Sequence, residues 1–436
     1  MDPFDPLSPD ERARELASAR PKRGLPIAPL AKPGARHLPL AGEVRDVDRR
    51  ARPIYAVWEI TLACDLACRH CGSRAGRDRP DELTTAEALD LVEQMADLGV
   101  KEVTLIGGEA YLRADWLDLI RALRRRNILV STTSGGRGLT PEIIAQAKEA
   151  GLQAASISID GDEATHDRLR GVAGSYRAAF AALHALRAAG VRSSCNTQIN
   201  RLSVPLLDGI LDAVAAAGVT SWQVQLTGPI GRAADEPEIL LQPFDLLEAI
   251  PRLAAVKQRG EKMGVRMYPG NNVGYFGPYE SVLRGHYFRG HGGSCGAGRA
   301  TIGIEANGAI KGCPSLPTTP YTGGNIRDAS LRDIWERAEP LRFTRERTTE
   351  DLWGYCKTCY YAEACLAGCT WTSHATLGKP GNNPFCHHRA LEMQRMGKRE
   401  RLVPVEAAPG EPFDFGRFAI VEEDLAGHPL ETRPAG

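Results

Sequence analysis

Gly99, Gly151, Gly190 and Gly218 each stand between a helix-like stretch and a following apolar run. A glycine there closes a helix, because the last turn needs a residue that enters the left-handed region without strain. The beat they mark is strand, then helix, repeated. Strand patterns fall at 54–60, 102–107, 128–133, 154–160, 192–200 and 221–227. Helical patterns fall at 84–98 (capped by Thr84 or Thr85), 114–126, 140–150, 175–189 and 205–217. Strands separated by helices pair in parallel, so the chain is an α/β protein with a mostly parallel sheet. Six such units are fewer than a closed eight-fold barrel requires.

Alternation along the later strands assigns their faces. Ser156, Ser158 and Asp160 alternate with Ala155, Ile157 and Ile159; Asn196, Gln198 and Asn200 alternate with Cys195, Thr197 and Ile199. Gln223, Gln225 and Thr227 oppose Trp222, Val224 and Leu226. The apolar set belongs under the helices and the polar set on the inner face. So many inward polar groups call for a polar ligand or for interior water.

Between the first strand and first helix lie Cys64, Cys68 and Cys71, three thiols within eight residues. Three cysteines on one loop suit an iron–sulfur cluster with one iron left open; a structural zinc site with a fourth ligand from elsewhere is the alternative. After the second strand comes Gly107-Gly108-Glu109. The glycines let backbone approach a ligand closely, and the carboxylate can pair with an ammonium group.

This C-x3-C-x2-C spacing, with His70 before the last cysteine, resembles the signature of the radical S-adenosylmethionine (radical SAM) enzymes. The resemblance implies a partial (β/α)6 barrel, open on one side, and a [4Fe–4S] cluster on Cys64, Cys68 and Cys71. It implies that the open iron chelates the amino and carboxylate groups of SAM, with Gly107, Gly108 and Glu109 holding the amino group. Ala110-Tyr111 follows where the family commonly has proline. Ser134, Ser158 and Asn196, at strand ends, are carried over as further SAM contacts, and His70 as a neighbour of the adenine.

A second field of cysteines reads Cys295-x12-Gly308-x4-Cys313, then Cys356-x2-Cys359-x5-Cys365-x3-Cys369, then Cys386. The tetrapeptide from Ala306 to Ala309 reads as a hairpin turn between Cys295 and Cys313. The whole pattern resembles the SPASM domain, an extension of enzymes that mature peptides and proteins. By that resemblance Cys295, Cys313 and Cys369 hold one auxiliary [4Fe–4S] cluster, and Cys356, Cys359, Cys365 and Cys386 a second. Two zinc sites are the alternative. The first auxiliary cluster has three thiols; Glu305, Asn307, a substrate thiolate or water are candidates for its fourth position. Cys195 fits no set and reads as a buried small hydrophobe.

The expected organisation is an N-terminal extension (1–50, with a short helix at Asp10–Ala19), a radical SAM core (51–228), a connector (229–290), a SPASM domain (291–395) and a tail (396–436). The run Tyr268 to Tyr279 reads as a cleft wall or a solvated connector. Lys plus Arg and Asp plus Glu are both 54, a balance that argues against nucleic-acid binding by bulk charge. No apolar run reaches the ~18 residues of a membrane helix. No signal peptide is read, and eleven clustered cysteines point to metal rather than disulfides, so a cytoplasmic enzyme is expected. The resemblance implies reductive SAM cleavage to a 5′-deoxyadenosyl radical, with a one-electron reductant such as flavodoxin or ferredoxin. The substrate expected is a ribosomally made precursor peptide, modified by an oxidative thioether or carbon–carbon cross-link or a related side-chain change. Alternatives are a formylglycine-generating sulfatase maturase, a peptide epimerase, a redox enzyme of cofactor biosynthesis, or a structural zinc protein that binds a partner.

Overall fold

The computed structural model describes residues 44–285 and 295–430; the helix expected at Asp10–Ala19 lies outside them. Six parallel strands appear in the expected places: β1 (Tyr55–Glu59), β2 (Glu102–Ile106), β3 (Leu129–Ser134), β4 (Ala154–Ser158), β5 (Arg192–Ile199) and β6 (Ser221–Leu226). Each pairs in parallel with the next, in chain order. The connecting helices Thr85–Leu98, Trp116–Arg125, Pro141–Ala150, Ser175–Ala189 and Leu207–Ala216 also match. Thr84 is the first cap: its hydroxyl accepts from Glu87 N, while the Glu87 side chain reaches back to Thr84 N. Gly99, Gly151 and Gly190 close their helices at positive φ.

The sheet extends past the six strands at both edges. β7 (Arg266–Pro269) joins parallel to β6. At the other edge β8 (Thr301–Ile304) runs parallel to β1, with Tyr55 opposite Thr301. β8 turns through Glu305–Gly308 into antiparallel β9 (Ala309–Lys311), which pairs with β10 (Thr322–Asn325). The hairpin between Cys295 and Cys313 is therefore present, and it is also part of the barrel sheet. Its docking covers the otherwise unpaired edge of β1.

Cys195, Thr197 and Ile199, with Ile157, Trp222 and Val224, are fully buried or nearly so. The apolar members share a core cluster with Leu183, Leu186, Leu207 and Leu211 of the covering helices. The alternate row is more open: Asn196, Gln198 and Gln225 are partly exposed and Gln223 is exposed. The polar row thus lies on the inner face.

Three stretches differ from the sequence reading. A helix at Glu163–Arg170, capped by Asp162, lies between β4 and the next helix; strongly polar, it carries no clear apolar stripe. The run Tyr268 to Tyr279 is not a solvated connector: it contributes the end of β7 and a tightly packed turn, with Val273 and Tyr275 buried. The stretch read as a tail holds the antiparallel hairpin β11 (Lys398–Glu406) and β12 (Arg417–Asp424). Its Leu402 and Phe418 enter the barrel core, and Gln242 brackets the Leu402 backbone from both sides. Among the described residues, no helix is long and apolar enough to cross a membrane.

Candidate active site and cysteine centres

β1 ends at Glu59, and the chain passes over the carboxyl ends of the strands as the loop bearing Cys64, Cys68 and Cys71. Gly108 N and Glu109 N donate to Thr61 O and Ala63 O at 2.9 and 2.8 Å, zipping this loop to the end of β2. A Cβ on Gly108 would fall 2.2 Å from Ala63 O, and one on Gly107 would fall 2.4 Å from Thr61 O. Both glycines are therefore required by close backbone approach. On the far side, Ala67 N and Arg69 N donate to Arg170 O and Leu169 O. These are orphan carbonyls at the end of the Glu163–Arg170 helix.

Glu109 is 2% exposed. Its carboxylate accepts from the Ser134 hydroxyl and, at 2.7 Å, from Gly135 N. Burial pushes its pKa up to about 7, against the pull of those two donors. Ligand atoms of Glu109, Cys64 and Asp65 lie within 4.8 Å of one another, so the carboxylate sits beside the thiol loop. Tyr111, where proline is common in the family, has a structural use here. Its hydroxyl donates to Asp65 Oδ2 at 3.0 Å and accepts from Gly138 N at 2.9 Å, tying the turn to both neighbouring loops.

Ser158 and Asn196 face each other across β4 and β5, with Ser158 Oγ donating to Asn196 Oδ1 at 3.1 Å. His70 is not presented to open space: its side chain is 6% exposed, with Nε2 3.6 Å from Asp160 Oδ2. Burial drives its pKa down to about 4, so the imidazole is neutral. Sequence reasoning missed the partner of that pair. Arg170 forms an ion pair with Asp160 and donates to Cys68 Sγ at 3.6 Å. Its signal, a lone arginine a hundred residues away, has no local form.

The later cysteines separate into two places. Cys356, Cys359, Cys365 and Cys386 line one hollow together with Tyr275, Phe276 and Tyr361. Cys295 and Cys313 pack on the small cluster of Ala297, Leu316, Tyr321 and Phe343. Burial raises the Cys295 and Cys313 thiols, and Cys369 lies close enough to push both further up, as Cys295 does for Cys313. The Glu305 carboxylate is occupied: Lys311 Nζ at 2.7 Å and Thr318 Oγ1 at 2.6 Å share Oε1, and Arg79 takes Oε2 at 3.2 Å. Asn307 is also spent, on Ala309 N and Asp81. Neither is free to complete a metal site.

These surroundings fit iron–sulfur groups. Backbone N–H groups of Leu66, Ala75, Tyr361 and Asn383 point at Cys64, Cys71, Cys359 and Cys356 Sγ, each at 3.4 Å, as sulfur of a cluster accepts them. Burial pushes the Cys64 and Cys313 thiols up to about 12, so a thiolate there needs a metal's positive charge. A single zinc with ~2.3 Å bonds would hold its sulfurs about 3.8 Å apart. Among the described residues, no three thiols converge within 4.8 Å.

Residues 58–201 match the model of the radical SAM superfamily. The chain belongs to that superfamily. Residues 295–360 match the iron–sulfur cluster-binding SPASM domain, so this radical SAM protein is of the kind that carries iron–sulfur clusters and binds SAM. It is 30% identical over 355 residues to an AdoMet-dependent heme synthase of Oleidesulfovibrio alaskensis, covering 76% of this chain and 86% of that one. It is 29% identical over 352 residues to the mycofactocin maturase MftC of Mycolicibacterium smegmatis, covering 79% and 86%. Its fold resembles Streptococcus suis SuiB bound to SAM, with a TM-score of 0.58 at 18% identity over 74% of each chain. SuiB has also been solved with its precursor peptide SuiA, with a TM-score of 0.57 at 18% identity, covering 74% of this chain and 72% of that one.

Proposed function

We propose that this radical SAM/SPASM enzyme cleaves SAM reductively at Cys64, Cys68 and Cys71 and oxidatively modifies a ribosomally made peptide, with two auxiliary clusters on the later cysteines. The observation that carries the first half is the docking of the three-thiol loop against Glu109. Cys64, Cys68 and Cys71 would hold a [4Fe–4S] cluster, which when bound would supply the electron for reductive cleavage of SAM. The protein's part is orientation and exclusion of water. Glu109 offers a buried acceptor to the SAM ammonium, whose charge offsets the burial that raises the carboxyl. Gly107 and Gly108 bring backbone into contact range, and Ser134 holds Glu109 in place. Ser158 and Asn196 present hydroxyl and amide groups on the inner face, and His70 buttresses the loop through Asp160. Cys295, Cys313 and Cys369 would hold the first auxiliary cluster, and Cys356, Cys359, Cys365 and Cys386 the second.

The peptide substrate is supported by the neutral amides of the inner face, which match peptide groups in hydrogen bonding, and by the relatives MftC and SuiB. A one-electron reductant of the flavodoxin or ferredoxin type and a cytoplasmic location accompany this reading. A second reading, a redox step in cofactor biosynthesis, is favoured by the likeness to the heme synthases. Incubation of reduced, reconstituted enzyme with SAM and either a candidate precursor peptide or a heme precursor separates the two. Peptide-dependent 5′-deoxyadenosine, with a peptide product lighter by two hydrogens, is the expected result. Turnover with the heme precursor alone would overturn the peptide assignment.

A further inference from the structure

Each of the three sulfur sites has one buried arginine nearby, and the three differ in how their charge is balanced. Arg170, 8% exposed, donates to Cys68 Sγ and is ion-paired with the fully buried Asp160. Arg389, 3% exposed, acts on Cys356 and Cys386 and is clamped by both oxygens of Glu400, at 2.6 and 2.7 Å. Arg347, 8% exposed, lies near Cys369 and Cys295 and makes no ion pair among the described residues. Its Nη2 donates to Thr370 Oγ1 at 2.6 Å, next to Cys369, and its Nη1 to Leu366 O at 3.4 Å. Its buried Nε has no partner. Asp351 acts on it only through space, and the Cys295 and Cys369 thiols do the same. Arg299, also near Cys295, is exposed.

A buried cation without a counter-ion is costly unless an anion completes it. We infer that Arg347 is the built-in counter-charge of the first auxiliary cluster, making that cluster the more easily reduced of the two auxiliary centres. One-electron reduction adds one negative charge to a cluster and, in this step, moves no proton. The uncompensated guanidinium stabilises that added charge; at the second site, Glu400 cancels most of Arg389's effect. Arg347 thus acts through the cluster, as a residue that sets its potential, and it directs electrons leaving the substrate toward the set of Cys295, Cys313 and Cys369. The inference rests on the proposed auxiliary clusters.

The test is an EPR-monitored potentiometric titration with dithionite of full-length, reconstituted protein carrying Cys64→Ala, Cys68→Ala and Cys71→Ala, so that only auxiliary signals remain. Iron and sulfide content, measured first, checks the cluster assignment separately. In this background two transitions are expected. Arg347→Gln should lower the higher one by at least tenfold in its reduction equilibrium, about 59 mV for one electron, and leave the lower one in place. Arg347→Lys should restore most of the shift. Glu400→Gln, which unmasks Arg389, should raise the lower transition and so tests the same argument if Arg347→Gln loses iron. Full iron content with both transitions unmoved in Arg347→Gln, or a lower transition indifferent to Glu400→Gln, would overturn the inference.

Discussion

Glu109 shows how a short motif gains meaning from contacts it does not encode. Three residues of sequence give a turn; the buried carboxylate, the Ser134 hydroxyl and the Gly135 N–H make it an acceptor beside the thiol loop. Glu109→Gln keeps the shape and removes the charge. A hydrogen bond to a charged group contributes roughly 1.5–3 kcal/mol, so SAM affinity should fall on the order of 10- to 100-fold, measured by equilibrium dialysis against anaerobic enzyme. Unchanged affinity would remove Glu109 from the ammonium site. Cys195 is the opposite case. Its alternation with Asn196 places it under the helices, and it is 0% exposed among leucines. Cys195→Ala should retain 5′-deoxyadenosine and product formation and lower unfolding stability by about 1 kcal/mol. A variant that cleaves SAM but releases no product would instead make this thiol a hydrogen donor, as in a radical epimerase.

At the scale of elements, the cysteine loop is shaped by what it is sewn to. Gly107 and Gly108 lie flush against Thr61 and Ala63, and the carbonyls of the Glu163–Arg170 helix hold the other side. The segment between β11 and β12 closes the remaining edge: Phe413 N donates to Gly72 O, and Asp414 takes Arg74 Nε at 2.8 Å. Gly108→Ala would drive a methyl into the Ala63 carbonyl. Loss of roughly one cluster's iron, about 4 of 12 atoms per chain, is expected, with helix content by circular dichroism retained. A full complement of iron in that variant would show that the loop tolerates displacement. At the first cap, Thr84→Ala removes the hydroxyl that accepts from Glu87 N and should cost about 1 kcal/mol in denaturant unfolding, with SAM cleavage unaffected.

Across the whole molecule, what sequence made legible follows a physical divide. The six core strands and five of their helices could be placed from periodicity and closing glycines, because each of those signals is local. The grouping of the later cysteines came from the SPASM resemblance, and the hairpin between Cys295 and Cys313 from its turn residues. Pairing partners were not legible. β8 lies against β1 across some 245 residues of chain, and β7 is four residues long, too short to show a period. The final hairpin alternates charged residues whose partners, such as Lys398 with Glu422 and Arg399 with Glu423, only the antiparallel register brings together. Arg170 and Arg347 were missed for the same reason: a buried charge is recognised by its surroundings. The central claim, that the loop of Cys64, Cys68 and Cys71 initiates radical chemistry while the later cysteines hold separate clusters, is tested most directly by one comparison. Anaerobically reconstituted wild-type protein and the triple Cys→Ala variant at those positions are reduced with dithionite, given SAM, and assayed for 5′-deoxyadenosine and for iron. 5′-Deoxyadenosine is expected from the wild type alone, with about 8 of 12 irons kept by the variant; SAM cleavage by the variant would overturn the assignment.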